Sequence, residues 1–116
     1  MKAAHVVAPR QIEMFEADEP KIDDFPKGSI KVKTHMTALC GSDSPRFVLT
    51  YPPEQYPLNI GISIHECIGT VVESTSDRLK VGDFVQSRPT AGIGGLAEDY
   101  ISYDSVGGHL VDFLHQ

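Results

Sequence analysis

Residues 29–39 alternate between apolar and polar side chains, which is the pattern of a β-strand with one buried face. The face that we expect to be buried carries Ile30, Val32, Met36 and Ala38. The opposite face carries Lys31, Lys33, His35 and Thr37. No long window of the chain has the period of an amphipathic helix, so we predict a fold built mainly from strands.

Shorter strand candidates lie on both sides of this segment, at residues 2–7, 12–16, 66–74, 84–87 and 96–103. Proline and glycine mark the connections. Residues 8–10 predict a hairpin turn, Gly41 and Pro45 predict a turn and a short helix, and the proline-rich residues 51–57 predict a surface loop. Residues 106–116 are apolar without a clear period. The pattern predicts a mainly antiparallel β-barrel or sandwich with one or two short helices.

Length and charge restrict the possible partners. The 116 residues form one domain, and 16 acidic against 10 basic residues give a net charge of −6, which disfavours nucleic acid. No apolar run approaches the roughly 20 residues that cross a membrane. Two cysteines are too few for a disulfide scaffold and the first residues do not form a signal peptide, so we expect a cytoplasmic protein.

A histidine and a carboxylate stand side by side at the start of an apolar β-run, as His65 and Glu66. Burying two such groups is costly unless they bind a partner, and a metal ion is one such partner. Cys40 lies at the end of the strand predicted at residues 29–39, so a thiol and an imidazole from separate elements could meet there. Zinc prefers sulfur and nitrogen donors of this kind.

Other interpretations of these residues stay open from the sequence alone. Cys40 could be a small buried hydrophobic residue, His65 a core histidine bound to a carbonyl, and Glu66 a solvated surface residue. Cys67 lies two residues after His65 and would share its face in a strand, which makes it a rival to Cys40 as the sulfur ligand.

Residues 92–97 fit the G-x-G-x-x-A pattern of a dinucleotide-binding turn. That turn requires a buried strand before it and a helix after it. Here Arg88-Pro89-Thr90 precedes the glycines and too few residues follow for a βαβ unit, so we predict a glycine-rich loop without a cofactor.

Four motifs occur in a characteristic order. They are Cys40-Gly41-Ser42-Asp43, His65-Glu66-x-x-Gly69-x-Val71, Val81-Gly82-Asp83-Phe84-Val85 and Gly95-Leu96-Ala97-Glu98-Asp99-Tyr100. Together they resemble the catalytic domain of the zinc-dependent medium-chain dehydrogenases, the alcohol dehydrogenase family, over nearly the whole chain. The resemblance implies a GroES-like antiparallel β-barrel that holds a catalytic zinc.

The resemblance also implies roles for individual residues. Cys40 and His65 would be zinc ligands, and Glu66 would lie beside the metal as an alternative ligand. Asp43 would bind the other nitrogen of His65, and Ser42 would accept the proton of the substrate hydroxyl. The substrate would be a small-molecule alcohol, polyol or sugar, with NAD or NADP accepting the hydride in the full-length enzyme, which we expect to be a homo-oligomer.

The chain departs from the family pattern in several ways. Ile64 precedes His65 where a glycine is usual, with Gly61 three residues earlier, and no four-cysteine zinc lobe follows the Gly-Asp turn. We expect residues 1–116 to be a truncated catalytic domain without its Rossmann nucleotide-binding domain, inactive by itself. The alternatives are a stand-alone GroES-like binding or interaction module, and a zinc-free enzyme, against which the presence of both Cys40 and His65 argues.

Overall fold

A hairpin and a five-stranded sheet make up the part of the chain that the computed structural model describes, namely residues 1–61, 64–90 and 93–104 with the backbone of residues 109 and 110. The hairpin consists of β1 (Lys2–Ala8) and β2 (Gln11–Glu16), and the chain turns at Pro9 and Arg10 as predicted. Arg10 has a positive φ of 61°, which places it in the left-handed region.

The larger sheet has the strand order β6-β3-β4-β5-β7, with every pair antiparallel. Its strands are β3 (Ser29–Ala38), β4 (Glu66–Ser74), β5 (Phe84–Ser87), β6 (Asp99–Tyr103) and β7 (His109–Leu110). The sheet curls, since Thr90 just after β5 bridges Ile101 of β6, although two strands separate β5 from β6 in the order. The predicted mainly β, antiparallel fold is confirmed. The rest of residues 106–116, which the pattern left unassigned, lies outside the described residues.

Helical structure is short and lies in the connections. Helix α1 (Ser44–Val48) begins beside Pro45, as predicted, and single 3-10 turns occur at Ile22–Asp24 and Pro53–Gln55. No helix in the described part of the chain has the length and apolar character needed to cross a bilayer.

The predicted buried face of β3 is correct only for its first half. Ile30 and Val32 are fully buried, but Met36 is 66% exposed and Ala38 is exposed. The pairing of β3 with β4 shifts register between Thr34 and Met36, and such a bulge changes which side chains face the core. The prediction was therefore wrong for Met36 and Ala38.

Residues 94–98 connect the hairpin to the large sheet. Ala97 bridges Ala3 of β1, Glu98 N donates to Lys2 O at 3.0 Å, and Thr34 N of β3 donates to Glu98 O at 2.8 Å. The strand predicted at residues 96–103 therefore begins only at Asp99, because the residues before it pair with β1.

Candidate metal centre

Three possible metal ligands come together where β3 ends and β4 begins. Cys40, Asp43 and His65 each offer one ligand atom, and these atoms all lie within 4.8 Å of one another. The sheet explains the meeting: Ala38 of β3 pairs with Glu66 of β4, Cys40 follows Ala38 by two residues, and His65 directly precedes Glu66. The antiparallel pair thus brings together side chains that are distant in sequence.

A tight turn holds the first two of these residues. Asp43 N donates to Cys40 O at 3.0 Å, and Cys40 N donates to the Asp43 carboxylate Oδ2 at 2.9 Å. Asp43 is only 4% exposed, and Ser42, which is exposed, places its Oγ 2.8 Å from Cys40 Sγ. The reciprocal bonds fix the direction of the Asp43 side chain and keep Ser42 next to the thiol.

The spacing of sulfur and nitrogen fits a shared zinc ion. Cys40 Sγ lies 3.7 Å from His65 Nε2. Zinc bonds of about 2.3 Å to sulfur and about 2.1 Å to nitrogen, at a tetrahedral angle, place the two donors about 3.6 Å apart. Thiolate, imidazole and carboxylate are also the donor types that zinc takes from proteins. The residues present therefore fit a zinc ion.

The group differs in one member from the predicted ligand set. Asp43, assigned above to a supporting role, lies in the group, whereas Glu66 is exposed and is not part of the group found among the described residues. The sequence signal for Asp43 was its position three residues after Cys40 across a glycine turn, which returns its carboxylate to the thiol. The roles given above to Ser42, Asp43 and Glu66 stay predictions.

The rival cysteine lies in the core. Cys67 is 2% exposed, and burial raises the pKa of its thiol to about 12, with the carboxylates of Asp43 and Glu66 acting in the same direction. Zinc binds the thiolate form, so such a thiol is a poor ligand. The shared face predicted for His65 and Cys67 fails because β4 begins only at Glu66, which leaves His65 outside the strand alternation.

A cavity of about 470 Å³ adjoins Cys40 and Asp43. Most of its wall is apolar and is contributed by Ile12, Leu39, Phe47, Ile64 and Leu96. Clefts of this size and character hold small organic molecules in proteins.

The sequence matches a known class of domain. Residues 26–107 match the family model of the alcohol dehydrogenase GroES-like domain, and the chain belongs to that family. This confirms the resemblance drawn from the four sequence motifs. A comparison with curated proteins found no match.

Solved dehydrogenases share the fold. Galactitol-1-phosphate dehydrogenase from Escherichia coli is 22% identical with a TM-score of 0.75, and the match covers 97% of this chain and 38% of that one. For 2R,3R-butanediol dehydrogenase from Bacillus subtilis the values are 24% identity, a TM-score of 0.69, and coverage of 96% and 40%. S. aureus TarJ in complex with NADPH is 20% identical with a TM-score of 0.69, over 96% and 33%. The chain thus spans 33–40% of the length of these three structures.

Proposed function

We propose that this chain is the catalytic-domain portion of a zinc-dependent NAD- or NADP-linked dehydrogenase of alcohols or polyols. The observation that carries the proposal is the meeting of the Cys40 thiol, the Asp43 carboxylate and the His65 imidazole within 4.8 Å. Membership of the alcohol dehydrogenase GroES-like domain family supports it. Two dehydrogenases of the same fold are named for galactitol 1-phosphate and butanediol, and we extend to this chain only their shared class, small hydroxylated molecules.

Cys40 and His65 would hold the zinc, with Asp43 or Glu66 as the third protein ligand. When bound, zinc would supply a Lewis acid that favours loss of the proton from the substrate hydroxyl and loss of a hydride from the carbon that bears it to a nicotinamide cofactor. The NADPH complex of TarJ supports a nicotinamide cofactor in the full-length enzyme proposed here.

Two further side chains, Ser42 and Asp43, would transfer the proton and hold the site in place. Ser42 would accept a proton from a hydroxyl group that approaches the thiol and pass it to solvent, and its exposure and the 2.8 Å distance from its Oγ to Cys40 Sγ support this role. The buried carboxylate of Asp43 accepts the Cys40 N–H and thereby holds the turn that presents both Cys40 and Ser42.

Metal titration of cysteine variants tests the proposal. We expect the chain to bind one zinc ion and Cys40→Ser to weaken zinc affinity by tenfold or more. The matched control Cys67→Ser should retain zinc affinity, because the Cys67 side chain is buried in the core and is not a member of the donor group. Calorimetric titration with Zn²⁺ and the thiolate absorption of the Co²⁺ form give the readouts. Zinc binding that is unaffected by Cys40→Ser would refute the assignment.

A second pair of variants identifies the third ligand. Asp43→Asn and Glu66→Gln each remove one carboxylate charge, and the variant with the larger loss of zinc affinity marks the ligand. Failure of the unmodified chain to bind Zn²⁺ or Co²⁺ would instead favour the alternative of a binding module without catalysis.

A further inference from the structure

The backbone that leads into His65 is hydrogen-bonded to the glycine-rich segment. Gly94 N donates to Ile60 O at 2.8 Å, Gly95 N donates to Ile64 O at 2.8 Å, and Leu96 N donates to Gly61 O at 3.3 Å. Ile64, the residue directly before His65, is therefore hydrogen-bonded to Gly95.

The contact at Gly95 leaves no room for a side chain. A Cβ at this position would overlap the Cys67 sulfur and would lie 2.9 Å from Ile64 Cγ2 and 3.0 Å from Thr37 Cγ2. Ile64 and Cys67 are 1% and 2% exposed, so neither can turn away into solvent. These two residues lie on either side of His65 and Glu66 in the chain, and a group pressed against both would displace the histidine backbone.

The contact between Gly61 and Gly94 is equally close. Gly61 has a φ of +73°, and a Cβ there would overlap the Gly94 carbonyl. Two backbones thus touch at the start of the segment that ends at His65. The family usually has a glycine directly before the histidine, whereas here the apolar side chain of Ile64 enters the core at that point. The space that Gly95 leaves empty is what receives Ile64.

We propose that Gly95 is a positioning residue, which sets the distance between His65 and Cys40 through its contacts with Ile64 and Cys67. The inference rests on the proposed function, because metal affinity is its main readout. Metal bonds tolerate only about 0.2 Å of variation, so a small displacement of the residue 65 backbone separates Nε2 from Cys40 Sγ, now 3.7 Å away. The glycine-rich stretch, which fits a dinucleotide-binding pattern, then serves the metal site.

The first test is Gly95→Ala in the 116-residue chain. We expect its Zn²⁺ affinity to fall by about tenfold to a hundredfold, the range seen when residues that orient metal ligands are changed. The Co²⁺ form should also lose thiolate-to-metal absorption intensity. Leu79→Ala, which removes a buried side chain from the same core, is the control for general destabilisation and should bind Zn²⁺ like the unmodified chain once folded.

A compensating substitution separates positioning from loss of stability. Gly95→Ala/Cys67→Ala removes the sulfur that the new methyl group would overlap, so it should recover most of the lost zinc affinity, while Cys67→Ala alone should bind as tightly as the unmodified chain. Normal zinc binding by Gly95→Ala, or a folded double variant that binds no better than Gly95→Ala, would overturn the inference.

Two further measurements cover the remaining outcomes. If Gly95→Ala does not fold, Ile64→Ala tests the same contact from the other side, and unchanged zinc affinity in that variant overturns the inference. If the unmodified chain binds no zinc, the proposed function fails separately. The imidazole ¹⁵N shifts of His65 then decide, because positioning predicts that they change in Gly95→Ala and return in the double variant, and unchanged shifts refute it.

Discussion

Tyr100 and Ser87 form a hydrogen bond whose worth can be measured. Tyr100 of β6 is fully buried and its hydroxyl lies 2.6 Å from Ser87 Oγ of β5, which is 3% exposed. Tyr100→Phe keeps the ring and leaves Ser87 Oγ without this partner. An unsatisfied buried hydroxyl costs about 1–3 kcal/mol. We therefore expect the free energy of unfolding at pH 7 to fall by about 2 kcal/mol, from a total of roughly 6–17 kcal/mol for a chain of this length.

Urea denaturation of the unmodified chain, Tyr100→Phe, Ser87→Ala, their double variant and one control measures the effect. Tyr100→Phe/Ser87→Ala replaces both partners by apolar groups, so it should recover about 1 kcal/mol relative to the sum of the single changes. Tyr103→Phe, on the same strand but only partly buried, is the matched control and should change stability little. The reasoning would be contradicted if the stability losses of the two single variants add up to that of the double variant, or if Tyr100→Phe lowers the free energy of unfolding by less than about 0.5 kcal/mol.

Tyr100→Phe should also change how the stability of the chain depends on pH. Burial raises the pKa of Tyr100, and its hydrogen bond with Ser87 opposes this only in part. Because the neutral hydroxyl is favoured in the folded state, its contribution to stability is complete below the unfolded pKa of about 10 and is lost as pH rises above it. Tyr100→Phe should therefore lose less stability than the unmodified chain between pH 10 and 11. Parallel stability curves would show that this hydroxyl is not the group involved.

Two further predictions concern the cysteines and a glycine of β4. Iodoacetamide at pH 8 should modify Cys40 well before Cys67, because a pKa of about 12 leaves only about one Cys67 thiol in ten thousand ionised. Peptide mass spectrometry that finds Cys67 labelled first would contradict this expectation. Gly69→Ala should lower the free energy of unfolding by about 3 kcal/mol, because its methyl group would overlap the Lys33 carbonyl. The methyl group of Gly41→Ala meets nothing within 4 Å, so this variant should change the free energy of unfolding by less than about 0.5 kcal/mol. Equal losses in the two glycine variants would count against the steric argument.

The sequence predicted β3 and its first buried residues because alternation reports directly on a regular strand. Ile30 and Val32 follow this rule, but Met36 does not. The register shift between Thr34 and Met36 arises from pairing with β4, about 30 residues further along, and alternation within one segment carries no information about it.

The metal site was also predicted from the sequence only in part. The strand pattern allowed the meeting of Cys40 and His65 as one of several possibilities, and the family resemblance predicted it. The direction of the His65 side chain was not predicted, since His65 lies just outside β4. The contact of Gly95 with Ile64 and Cys67 left no local signal in the sequence, because it joins segments about 30 residues apart through the absence of a side chain.

The terminal pair of the β3–β4 ladder, Ala38 with Glu66, lies next to both Cys40 and His65. Ends of ladders fray at a lower free energy than their buried middles. We therefore expect an ion bound between these two residues to escape by local opening, without unfolding of the domain. Because a bound ion stabilises the closed state, it would slow amide hydrogen exchange at this end of the ladder. Exchange at the far end, at Ile30 and Ser74, would stay unchanged.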